Sequence, residues 1–129
     1  MARTAITRRN LTPNGGILAP TADTIDQANG MTLPITATGI PTGPDSDHVI
    51  LKVDNSAAGP HVVTVRKGVN PPAFRAGIGD LAVTVTNGTT QYIGPLESAR
   101  FSQADGSLLL DFDSGTTGTI TAFFIPVKW

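Results

Sequence analysis

The sequence predicts an all-β fold: an antiparallel β-sandwich or barrel-like body behind an extended, Pro/Gly-rich N-terminal arm. Three observations predict it. The 129 residues include 14 Gly, 10 Pro and 18 Thr, a composition that favours strands and turns over helices. From residue 48 onward, apolar and polar residues alternate in short runs, which is the period of a strand with one buried face. Turn residues separate those runs at short spacing, and no segment of ten or more residues has helical periodicity.

Residues 1–47 read as the arm. Pro13, Asn14-Gly15-Gly16, Pro20, Pro34, Pro41 and Pro44 cut each apolar run short, and Thr32-Leu33-Pro34-Ile35-Thr36 is suited to an open sheet edge, where proline is tolerated. Arg3, Arg8 and Arg9 precede the first acid, Asp23, so residues 1–22 carry charge of one sign. An acidic partner surface would attract it, and a frayed terminus is the competing reading.

Residues 48–129 form the β-sandwich domain. Val49, Leu51 and Val53 alternate with Ile50, Lys52 and Asp54, and Val62-Val63-Thr64-Val65 continues after the turn 55–60, which suggests a hairpin. Leu81, Val83 and Val85 make the next strand. Asn87-Gly88 supplies the positive φ of a hairpin turn, returning through Thr90-Gln91-Tyr92-Ile93. Gly94-Pro95 breaks that strand, and Ser98-Ala99-Arg100-Phe101 reads as extended rather than as one helical turn. Asp105-Gly106 turns into Ser107–Phe112, and Gly115-Thr116-Thr117-Gly118 into a last strand over 119–125. That makes about seven strands. The expected core is Val49, Leu51, Val53, Val63, Val65, Leu81, Val83, Val85, Ile93, Phe101, Leu108, Leu110, Phe112, Ile120, Ala122 and Phe124.

Composition narrows the function. Nine Lys+Arg against ten Asp+Glu give a net charge of −1, so no global basic field draws nucleic acid. Cysteine is absent, which excludes disulfide frameworks, thiolate metal sites and thiol catalysis. The start has no apolar stretch of a secretory signal, and no run reaches the roughly 20 apolar residues of a membrane helix. A product made soluble in the cytoplasm is expected, and the sequons Asn10-Leu11-Thr12 and Asn87-Gly88-Thr89 read as chance.

Reactive constellations are weak. Asp45-Ser46-Asp47-His48 offers metal-binding groups but reads as a solvated turn. Asp111 and Asp113 project from one strand face, as paired carboxylates would for calcium or acid–base work, yet polar alternation before a turn explains them. His61 with Asp54 or Asp80 lacks a Gly-x-Ser-x-Gly elbow. Gly77-Ile78-Gly79-Asp80 lacks the third glycine and the helix of a phosphate loop, since Ala82 and a strand follow. No catalytic, cofactor or metal site is expected, and no enzyme. Arg66-Lys67 and Arg75 bracket Pro71, Pro72 and Phe74 in a loop that reads either as a projecting contact element or as packed against its own sandwich. Trp129 packs across the sandwich end or joins an oligomer contact.

The stretches Gly68–Leu81, Gly94–Phe101 and Asp105–Leu108 resemble small proteins encoded among the virion structural genes of tailed phages and prophages of actinobacteria. Those look like head decoration or capsid accessory proteins. The resemblance implies a sandwich that binds the major capsid protein on the outer capsid surface as a symmetric oligomer, a trimer being favoured, without contacting nucleic acid or membrane. The contact residues expected are Arg3, Arg8, Arg9, Pro71, Pro72, Phe74, Arg75 and Trp129, with residues 1–47 clamping neighbouring capsid subunits. A tail-associated role or a host-surface carbohydrate-binding module is the alternative.

Overall fold

The alternation of the sequence builds strands that bury alternate side chains between two sheets. The structure is a computed structural model that describes residues 3–12, 15–33, 49–68, 78–96, 98–101, 103 and 107–125. Four short strands come first: β1 (Thr4–Ala5), β2 (Arg8–Asn10), β3 (Asp23–Thr24) and β4 (Met31–Leu33). Six more follow: β5 (Val49–Asn55), β6 (His61–Val65), β7 (Leu81–Val85), β8 (Thr90–Ile93), β9 (Leu108–Phe112) and β10 (Gly118–Phe124). One sheet has the order β1-β4-β9-β6-β7. The other runs β2-β10-β5-β8, with β3 also paired to β10. Most pairs are antiparallel, but β1 runs parallel to β4 and β2 parallel to β10. Both sheets are therefore mixed, and the body is all-β and sandwich-like.

The core agrees closely with the reading of strand faces. Fourteen of the sixteen expected positions are buried, and the exceptions, Leu81 and Val83, pack half-buried against the cluster. Both lie on β7, which has a strand neighbour on one side alone among the described residues. Ile6, Ile25, Met31, Leu33 and Leu96 complete the core and were not anticipated.

Two expectations about connection are corrected. The turns 55–60 and Asn87-Gly88 suggest hairpins, yet β5 and β6 lie in different sheets, as do β7 and β8. Period-two alternation shows which face of a strand is buried but not which sheet holds it. Both links are arches, and a third joins β9 to β10. The second correction concerns Ser98–Phe101, which is a single helical turn, α1, rather than an extended segment. Leu96 and Phe101 are both buried. Five positions apart on a strand they would face opposite ways, so an extended path would expose one of them. The helical turn brings both inward, leaving six strands among the described residues after residue 48.

The segment read as an arm supplies β1 to β4. Thr4 and Ile6 donate backbone N–H groups to Gly30 and Thr32, and Leu11 donates to the carbonyl of Phe124. The chain thus passes from the edge of one sheet to the edge of the other, with Ile6 buried at the crossing. Asp23 accepts from the Thr7 amide at 2.7 Å, and Asp26 accepts from Thr4 and from Asn29. Residues 34–36 of the expected edge strand lie outside the described residues.

Candidate functional site

Two ends of the sandwich are built differently. At one end the three arches meet at Asn55, the last inward position of β5, which is only 3% exposed. Its side-chain amide donates to the carbonyls of Val85 at 2.9 Å and Gly59 at 3.1 Å, and its Oδ1 accepts from the Ala57 amide at 2.9 Å. Its main chain binds Thr89 and Gly88 of the next arch. Ser56 completes the stack by donating its backbone N–H to the carbonyl of Thr117. A fully satisfied buried amide lets the chain cross between sheets without orphaned backbone groups.

The opposite end carries a platform built from the described ends of the β6–β7 connection, 66–68 and 78–80. The Gly68 amide donates to the Arg100 carbonyl at 2.6 Å, and Arg100 reaches across with Nε to Gly79 at 3.1 Å and Nη2 to Asp80 at 3.3 Å. Asp80 accepts from the Lys67 amide at 2.7 Å. Gln103 donates its side-chain amide to the Lys67 carbonyl and its backbone amide to Ser107. Gly79 turns the chain into β7 with φ of +74°. The platform therefore ties 66–68, 78–80, α1 and the start of β9 into one unit.

A charged ladder crosses the outer face of the β1-β4-β9-β6-β7 sheet beside this platform. Arg3 Nη1 donates to Asp111 Oδ1 and to the Leu110 carbonyl, each at 2.8 Å. Arg66 Nη1 donates to Asp111 Oδ2 at 2.7 Å, and its Nε lies 3.4 Å from Asp80 Oδ2. Burial pushes the Asp111 carboxyl upward, but the hydrogen bonds and charges of Arg3 and Arg66 outweigh it, and the net shift is below the ordinary carboxylate value. Arg3, Arg66, Lys67, Gly68, Gln103 and Leu109 line an open cleft of about 320 Å³.

Asp111 and Asp113, read as a possible pair, have separate partners. Asp113 Oδ1 lies 2.8 Å from His61 Nδ1 and accepts from the Thr116 hydroxyl at 2.7 Å. Burial raises the Asp113 carboxyl, yet Thr116 and His61 bring it below its usual value. His61 meets neither Asp54 nor Asp80, and Asp54 accepts from the hydroxyls of Thr90 and Thr119. Among the described residues no group of three His, Asp or Glu could hold a metal ion. Among the same residues, no helix is long and apolar enough to cross a membrane.

Of the expected contact residues, Arg3 is turned to its own chain, as above. Arg9 donates through Nη2 to the Thr21 carbonyl at 2.8 Å. Arg8 lies on β2, paired with Ala122. Pro71, Pro72, Phe74, Arg75 and Trp129 lie outside the described residues, as do Asp45, Ser46, Asp47 and His48. Sequence reasoning missed the arch residue Asn55 and the platform residues Arg100 and Gln103. Asn55 was open to detection, since it continues the inward parity of 49, 51 and 53. Arg100 and Gln103 left no such signal, because their partners Gly79, Asp80 and Lys67 are 21, 20 and 36 positions away in the chain. Among the described residues apolar exposure is greatest at Leu18, 92% exposed in the β2–β3 connection, and Tyr92 on β8 is 64% exposed.

No protein-family model matches the chain, and no curated protein or solved structure is similar to it.

Proposed function

We propose that this chain is a structural protein of a tailed-phage virion, a capsid decoration protein that binds the outer capsid surface and reinforces contacts between capsid subunits. One observation supports this reading more than any other. The three stretches that carry the resemblance, 68–81, 94–101 and 105–108, are separate in sequence, yet Gly68, Gly79 and Asp80 of the first bond Arg100 of the second, and Ser107 of the third is joined to the platform through Gln103, which lies between the second and third. A shared surface unit is what a common docking mode requires. Many identical sites on a shell would make a modest contact firm once the protein acts as an oligomer.

The test is co-sedimentation of the purified chain with undecorated capsids of the phage whose genome encodes it, with light scattering to give its free mass. Saturable binding at a fixed ratio to the capsid subunit is expected. Absence of binding to intact shells overturns the reading. The exposed ring of Tyr92 favours a second one, a host-surface carbohydrate-binding module, because sugars stack on exposed aromatics. A glycan array distinguishes the two, with glycan-specific retention lost in Tyr92→Ala favouring the second.

A further inference from the structure

The cleft beside the platform holds more cationic donors than the described residues use. Among the described residues Arg3 makes its bonds through Nη1 alone, to Asp111, Leu110 and Met31. Arg66 uses Nη1 and Nε. A guanidinium has five N–H donors, so Nη2 of each arginine is left without a partner among the described residues. The Lys67 ammonium has none either, and its main chain is already fixed by Asp80 and Gln103. These spare donors are wet rather than orphaned, since none is among the buried polar atoms that lack a partner.

The charge balance indicates what would fit. Among the described residues, Arg3, Arg66 and Lys67 line the cleft with three positive charges, Asp111 and Asp80, paired with those arginines, remove two, and 3 − 2 leaves +1. One singly charged anion neutralises that surplus, whereas a phosphate near −2 overshoots it. Asp111 holds both guanidiniums in place before anything binds, which lowers the ordering cost of an incoming anion. Leu109 gives the cleft an aliphatic wall, suited to the methylenes that carry an acidic group.

We infer that this cleft receives one carboxylate, that of an aspartate or glutamate side chain on a partner protein. The inference stands whether or not the partner is a capsid. Its test uses the intact chain and small probes: an NMR titration with N-acetyl-glutamate N-methylamide, with the matching blocked glutamine as neutral control. Glucuronate and inorganic phosphate are titrated in parallel at constant ionic strength.

Saturable shifts at the amides of Lys67 and Gly68 and at the Gln103 side chain are expected, with half-saturation on the order of 10 mM. The Lys67→Glu substitution turns the surplus negative and weakens binding more than about tenfold, while Lys67→Arg stays within about twofold. Lys67 is exposed and its fixed bonds are all main-chain, so both variants keep the native spectrum. Equal response to blocked glutamine, no saturation, or insensitivity to Lys67→Glu overturns the site. Tighter binding of phosphate or glucuronate overturns the assignment to a protein side chain.

Discussion

The Asn55→Ala substitution tests whether one buried amide holds the three arches together. In the native chain Asn55 Nδ2 donates to the Val85 carbonyl inside the sandwich at 2.9 Å. Truncation leaves that carbonyl without its donor, a desolvation cost of about 1–3 kcal/mol. The Gly59 carbonyl and the Ala57 amide also lose partners, but both residues are half-buried, where water replaces the bond and the added loss is about 0.5 kcal/mol each. The sum is about 2–4 kcal/mol, to be read from the urea midpoint at unchanged slope. Hydrogen exchange adds a local readout, because the Ala57 amide that donates to Asn55 Oδ1 should exchange faster. Asn55→Asp should be worse at neutral pH, since a carboxylate would face two carbonyl oxygens. Its folded pKa would be raised, so stability is recovered as pH falls through that value and is lost again as pH rises. A loss under about 1 kcal/mol in Asn55→Ala, with Ala57 still protected, would refute the reasoning and assign the arches to main-chain bonds alone.

Three further outcomes follow from the same structure. Gly118→Ala should cost at least about 3 kcal/mol, because Gly118 has φ of +133° and a Cβ would run into the Asp54 carbonyl oxygen; a variant with native thermal stability would contradict this. Phe124→Ala should lose about 3–5 kcal/mol in denaturant unfolding, since the ring is buried at the end of β10; a loss near 1 kcal/mol would mean the cavity collapses or the ring is dispensable. Asp111→Asn should cost about 1 kcal/mol at neutral pH, a figure reduced for the third of the side chain that remains exposed. The Asp111 carboxyl is held below its ordinary value of 3.8, so its contribution is complete above that pH and fades as pH falls through the folded value. The two proteins should therefore converge in acid, and a gap that persists there would discount the ion pairs.

What the sequence revealed was the parity of the strands after residue 48. Leu108, Leu110 and Phe112 face inward and Asp111 outward in the structure, as alternation requires. It did not reveal the pairing, because β5 buries the same side chains whether its neighbour is β6 or, as found, β8 and β10. The helical turn was hidden for a related reason: four residues are too few to show a helical period, and the deciding feature is the joint burial of Leu96 and Phe101. The ladder was half legible. Asp111 was noticed as a carboxylate, but its partners Arg3 and Arg66 are 108 and 45 positions away, and no local pattern connects them.

The first thirty-three residues change how binding experiments on this chain should be designed. If the body began at β5, the sheet edges of β9 and β10 would be open, each a row of unpaired backbone groups. β4 covers β9, while β2 and β3 divide the length of β10 between them. Ile6, Ile25, Met31 and Leu33 meanwhile enter the same core as β5 to β10. Removing residues 2–22 would therefore strip β1 and β2 from the sheets and pull Ile6 from the core. Loss of capsid occupancy in that variant would report a damaged fold as readily as a lost clamp. Point changes on exposed positions separate the two. Leu18→Ser, on a side chain 92% exposed, leaves the sheets intact, so occupancy lost there with an unchanged unfolding midpoint would assign a contact to the N-terminal segment, and unchanged occupancy would exclude Leu18 from the interface.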